Sequence, residues 1–96
     1  MPAYVISEVE MLDETEGRRY RELAAASIAA HGGRYLARGA VPDVPEGDWP
    51  AAGRVVVVEF PDMTRLRAWY ASTEYAEALA VSRTALRRRL LFVEGL

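Results

Sequence analysis

The chain of 96 residues has no cysteine, no lysine and a single histidine, His31. Without cysteine there is no disulfide, no thiolate nucleophile and no sulfur-ligated metal. One histidine rules out a multi-histidine metal site within one chain. All 12 basic residues are therefore arginine, a bias that, with the many alanines, points to a GC-rich bacterial coding sequence. They face 14 acidic residues for a net charge of −2, too balanced a charge to steer nucleic acid or anionic lipid. No apolar run approaches the roughly 20 residues that span a bilayer. The opening MPAYVISEVEM has no basic n-region and soon meets Glu8 and Glu10, unlike a secretory signal. No phosphate-binding glycine loop or nucleophile elbow occurs, and no cofactor is expected. These absences describe a cytoplasmic protein with neither nucleic acid nor membrane as a partner.

What is present is a single domain, residues 1–96, with 51% hydrophobic residues. AYVISEVEM (residues 3–11) reads as a strand. Asp13 and Glu16 then form a capping box, and Tyr20, Leu23, Ala24, Ser27 and Ile28 make a helical stripe that ends at His31 and two glycines. Arg34 to Gly39 is a short second strand. The next stretch, AVPDVPEGDWPAAG, must be loop, given its prolines at 42, 45 and 50. RVVVVEF is a third strand. Pro61 and Asp62 open a second helical segment, which Ser72 interrupts or re-caps, and RLLFVEGL is a fourth strand. The order is βαββαβ: an α+β, ferredoxin-like, four-stranded antiparallel sheet with two helices on one face.

Val55 to Val58 present apolar groups on both faces of one strand. The segments EVEML-D and VVEFP-D each end a strand and cap a helix with Asp. Aligning them turns Val9, Met11, Val58 and Phe60 toward the helices, and turns Tyr4, Ile6, Glu8, Glu10, Val55, Val57 and Glu59 away. Two helices cover only one face. Exposing the other would forfeit roughly 1.5–3 kcal/mol per large side chain, so a second copy of the chain is the expected cover, sheet against sheet.

HGGRYLARGAVPDVPEGDW, RVVVVEFPD and AWYASTEY together resemble the family of small bacterial proteins known as domain of unknown function 1330. The resemblance spans nearly the whole chain. It implies a dimeric α+β barrel, in a superfamily with cofactor-less monooxygenases, haem-degrading enzymes and muconolactone isomerase, and it implies no particular activity. The chain departs from the related sequences in reading RGA at Arg38–Ala40 where they usually read RGG, and alanine adopts positive φ less freely than glycine.

Among polar residues, Glu59 closes an apolar strand face, with Glu10 and the deeper Glu8 on the same side. A carboxylate there suits a general base, so Glu59 and Glu8 are the catalytic candidates. An ion pair with an arginine such as Arg38, or exposure at the rim, is the plainer explanation of Glu59. Arg38, expected on the same face as Arg34 and Leu36, suits a ligand carboxylate, and a pairing with Glu8, Glu10 or Glu59 that orders the barrel mouth accounts for it equally. Tyr4 and Trp49 are candidate pocket walls and Glu10 a candidate ligand contact; packing, in the case of Trp49 against a partner subunit, is the plainer reading of both aromatics. His31 fits the negative end of a helix. Arg83 and Arg87 to Arg89 are expected on a solvated helix face.

The resulting expectation is a homodimer, paired through the sheet face, that binds a small, partly apolar and anionic molecule between sheet and helices. A cofactor-independent isomerase or monooxygenase-like enzyme is its catalytic form, by fold analogy. The alternative is a non-catalytic dimeric interaction module with no ligand cavity.

Overall fold

The computed structural model describes residues 1–96, in the order β1 (Ala3–Met11), α1 (Glu14–Ala30), β2 (Arg34–Ala40), β3 (Arg54–Phe60), α2 (Met63–Tyr70), α3 (Thr73–Ala85) and β4 (Leu86–Glu94). The strands form one antiparallel sheet in the order β2-β3-β1-β4, which is the ferredoxin-like α+β arrangement. No helix is long and apolar enough to cross a membrane.

Each helix begins where a short oxygen-bearing side chain takes up an orphan backbone donor. The Glu16 N–H donates to Asp13 at 2.9 Å, and the Arg65 N–H to Asp62 at 2.8 Å. Ser72 does the same for the Tyr75 N–H at 3.1 Å, while its own hydroxyl donates to the Trp69 carbonyl at 2.7 Å. Those two bonds replace the helical ladder, so the second helical segment is two helices and the chain has three in all. α1 stops at His31, after which Gly32 takes φ +78°.

The helix-facing side of the sheet packs Ala3, Val5, Val58 and Phe60 against Ala24, Ile28, Leu66, Trp69 and Tyr75. The Trp69 ring lies 4.3 Å from Tyr75 and 5.3 Å from Phe60, centroid to centroid. Its indole N–H donates to Ser27 Oγ at 3.0 Å, and Ser27 in turn donates to the Ala24 carbonyl. No buried side-chain nitrogen or oxygen lacks a partner.

Two features differ from the sequence expectation. β4 begins at Leu86, so Arg87 to Arg89 lie in a strand and not on a helix face. The Ala85 carbonyl accepts from the N–H groups of both Leu12 and Asp13, which ends α3 beside β1 and starts the β1–β4 ladder at Met11 opposite Leu86. In β2, the pairing with β3 slips between Tyr35 and Ala37 and again between Arg38 and Ala40. The first slip moves Arg38 off the face of Arg34 and onto the helix side, opposite Val56. At the second, Gly39 takes the positive φ, +71°, and no residue other than glycine has one. Ala40 therefore meets no backbone penalty for replacing a glycine.

Candidate functional site

The register divides the sheet into rows. On the open face the central row is Ala37, Val57, Ile6 and Leu91, apolar across all four strands. One flanking row holds Arg34, Glu59, Tyr4 and Val93; the other holds Ala40, Val55, Glu8 and Arg89. The carboxylates on this face are paired with arginine. Arg34 Nε donates to Glu59 at 2.8 Å, Arg89 Nε lies 3.2 Å from Glu8, and Arg87 lies 3.1 Å from Glu10. Ile6 and Leu91 stay 39% and 53% exposed.

On the helix side the rows change character along the strands. Tyr35, Val58, Val5 and Phe92 form one, then Arg38, Val56, Ser7 and Leu90, then Arg54, Val9 and Arg88. Between these rows and α1 lies a cavity of about 500 Å³. Its apolar end is walled by Val5, Val58, Ile28 and Trp69; its polar end by Arg21, Arg38, Arg54 and Arg88. Arg54 and Arg88 flank Val9 from the two adjacent strands, a span of about 10 Å between backbones.

Half of the arginines, Arg18, Arg19, Arg34, Arg65, Arg87 and Arg89, pair with carboxylates. None of the four that line the cavity does. Arg38 instead stacks on the Tyr35 ring, 4.5 Å from its centroid, and donates to the Arg21 carbonyl at 3.2 Å. Arg88 donates to the Tyr20 hydroxyl at 2.7 Å, to the Tyr75 hydroxyl at 3.0 Å and to Ser82 Oγ at 3.2 Å. The two tyrosine oxygens are themselves 2.7 Å apart. Burial disfavours the Arg88 charge, yet the oxygens of Tyr20 and Tyr75 outweigh it and raise the arginine's pKa. Burial likewise raises Tyr75 well above the usual tyrosine value, with Tyr20 adding to the effect, so Tyr75 stays a neutral phenol. Tyr35 is also raised by burial, against the nearby Arg38. The polar end thus presents fixed positive charge beside the Tyr20 hydroxyl.

The family model for the domain of unknown function DUF1330 matches residues 2–96. The chain belongs to this family. No curated protein matches it. Among solved structures, this DUF1330 chain is similar to a protein of unknown function from Rhodopseudomonas palustris, with 16% identity and a TM-score of 0.81 over 99% of this chain and 82% of that one. It is also similar to SnoaB, a cofactor-independent oxygenase from Streptomyces nogalater, with 10% identity and a TM-score of 0.72 over 99% and 93%. A third is a dimeric ferredoxin-like protein of unknown function from Jannaschia sp., with 15% identity and a TM-score of 0.65 over 99% and 100%. At these identities the likeness establishes a shared fold.

Of the candidates the sequence offered in this DUF1330 chain, Arg38 lines the cavity by side chain. Glu8, Glu59 and Tyr4 lie on the open face, and so does the Glu10–Arg87 pair, although Glu10 also borders the cavity rim. Tyr4 packs against Gly95. Trp49 lies under Arg89, 5.5 Å from ring centroid to guanidinium carbon, and so beside the Glu8 pair. His31 is away from the cavity, 2.8 Å from Glu74. No group of three or more His, Asp or Glu side chains converges to hold a metal ion. Sequence reasoning missed Arg88, Tyr20 and Tyr75. The signal that could have found Arg88 was alternation: in a strand starting at Leu86, Arg88 shares the inward side with Leu86, Leu90 and Phe92.

Proposed function

We propose that this DUF1330 chain is a homodimer, paired through the open sheet face, that binds a small molecule with an apolar body and an anionic or oxygen-rich end in the helix-side cavity. The observation that carries the ligand is charge: four arginines without a carboxylate partner gather at one end of a largely apolar cavity, whose one carboxylate, Glu10, is paired with Arg87. Arg88, the one of the four that is partly buried, has no counter-charge, and Arg21, Arg38 and Arg54 stand exposed at the same end, where an anion seated among them gains charge-assisted hydrogen bonds. A volume near 500 Å³ lies within the range of known small-molecule pockets. It favours ligand binding over the alternative of a cavity-free interaction module.

The apolar row of the open face supports the dimer, since two copies stacked there bury Val57, Ile6 and Leu91 together. The dimeric fold relative from Jannaschia sp. points the same way. An enzymatic form, a cofactor-independent oxygenation or isomerisation, draws support from the described activity of SnoaB and from the arginine–tyrosine cluster, which can stabilise negative charge on a bound oxygen.

The test is a thermal-shift comparison of aromatic and medium-chain carboxylic acids with the alcohols of the same skeleton. An acid at ten times its Kd should stabilise the fold by about 1.4 kcal/mol, or about 5–10 °C in Tm for a domain of this size. The matched alcohols should give little. Equal shifts from acid and alcohol, or none from any acid, overturn the reading.

A further inference from the structure

The hydrogen-bond directions around Tyr20 are fixed by counting protons. Tyr75 is completely buried, and its hydroxyl reaches only Tyr20 Oη, 2.7 Å away, and an Arg88 nitrogen, 3.0 Å away. A guanidinium only donates, so the one acceptor open to the Tyr75 proton is the Tyr20 oxygen. The reverse direction would leave a buried Tyr75 O–H with no acceptor, at a cost of about 1–3 kcal/mol. The Tyr20 oxygen therefore receives two hydrogen bonds, from Tyr75 and from Arg88 at 2.7 Å, and its lone pairs are filled. Its own proton has to point elsewhere, and Tyr20 lines the cavity. Ser82 closes the rest of the cluster: it donates to the Leu79 carbonyl at 2.6 Å and accepts from Arg88.

We propose that Tyr20 is the donor of an oxyanion site. Its hydroxyl hydrogen-bonds a ligand oxygen that carries negative charge as an enolate or phenolate, the ligand's proton having passed to solvent. The class of ligand is then a carbonyl compound able to enolise, or a phenol, rather than a neutral hydrocarbon. Two donors on the Tyr20 oxygen make its O–H a stronger donor than an isolated phenol, because charge that shifts onto that oxygen is already met by Tyr75 and Arg88. Of the five N–H donors of Arg88, three are used inside the cluster, which leaves the guanidinium as a second, weaker contact for the same oxygen. This rests on the cavity reading above and adds to it the residue that recognises the oxygen and the chemical class of that oxygen.

The probes are 4-nitrophenol, whose ionised form absorbs visibly, and 4-nitroanisole, which has the same outline and no proton to lose. With the wild-type chain, both should bind. At a pH near the free phenol's pKa, the ratio of ionised to neutral bound nitrophenol should exceed that of the free probe about tenfold, the equivalent of one pKa unit. In Tyr20→Phe that ratio should fall at least threefold, with nitroanisole affinity unchanged within twofold. Tyr75→Phe strips one donor from the Tyr20 oxygen and should lower the ratio by a smaller factor, which keeps the test intact if the first variant does not fold. A wild-type ratio retained in whichever of these variants folds assigns the effect to the arginines and overturns the role of Tyr20 while leaving the cavity reading standing. Failure of both probes to bind the wild-type chain overturns both readings.

Discussion

Arg88 and Arg89 are neighbours in the chain and sit on opposite faces of the sheet. Arg89 pairs with the Glu8 carboxylate at 3.2 Å on the open side, and Arg88 bonds only to the hydroxyls of Tyr20, Tyr75 and Ser82 on the helix side. One guanidinium has its counter-charge built in. The other has none, and it is the one that lines the cavity.

Replacing Arg88 should therefore lower both binding and stability. Charge-assisted hydrogen bonds contribute about 1.5–3 kcal/mol each, so Arg88→Met should weaken carboxylate binding about 10- to 100-fold. Arg88→Met also removes three hydrogen bonds from the cluster around a charge that the fold favours. The midpoint of urea unfolding should fall as well. Unaltered affinity for an acid in calorimetric titration contradicts the assignment.

Tyr75 gives the fold an alkaline limit. Its pKa is higher in the folded chain than in the unfolded one, so the folded state keeps a proton that the unfolded state has lost. The stability this contributes is complete below the ordinary tyrosine value of about 10 and drains away as the pH rises above it toward the folded value. In that window Tyr75 alone should cost about 1.4 kcal/mol per pH unit, and Tyr35, raised in the same direction, adds to the loss. Unfolding free energies compared at pH 8 and pH 11 should show the fall, and Tyr75→Phe should flatten it. An equally steep fall in the variant rules out Tyr75 as its source.

Leu91 tests the dimer. It lies in the apolar row of the open face, where a carboxylate would enter the sheet-to-sheet contact without a partner. Leu91→Glu should sediment as a single subunit with an unchanged circular dichroism spectrum, whereas the wild-type chain should sediment as two. A wild-type chain that sediments as one subunit at micromolar concentration removes the homodimer.

Gly33 tests the packing behind the cavity. A Cβ there would lie 2.7 Å from a Phe60 ring carbon and 2.8 Å from the Ile28 branch, both parts of the closed core. Gly33→Ala should destabilise by about 1–3 kcal/mol through overpacking. A loss below a few tenths of a kcal/mol would mean that the core yields more easily than its contacts indicate.

Much of the fold was legible because it depends on local chemistry. Asp13 and Asp62 cap helices wherever a following N–H needs an acceptor, and alternation along β1 and β3 placed Tyr4, Ile6, Glu8, Val55, Val57 and Glu59 together on one face. The candidate site was less legible. Arg38 changed faces because a bulge at Leu36 depends on how β2 meets β3, which a single strand's sequence does not encode. Arg88 was hidden in a run of three arginines that has the composition of a solvated surface. Its direction follows from where α3 ends, and that is set by the distant N–H groups of Leu12 and Asp13 bonding to the Ala85 carbonyl.

By itself, then, the sequence determined most of the elements, the apolar character of both sheet faces and the exclusion of cysteine chemistry and of a multi-histidine metal site, since each follows from residue type and near-neighbour spacing. Only the tertiary structure decided which arginines meet carboxylates and which meet tyrosines. Tyr20, Tyr75 and Arg88 are as many as 68 residues apart, and only the closed sheet and its helices bring them together.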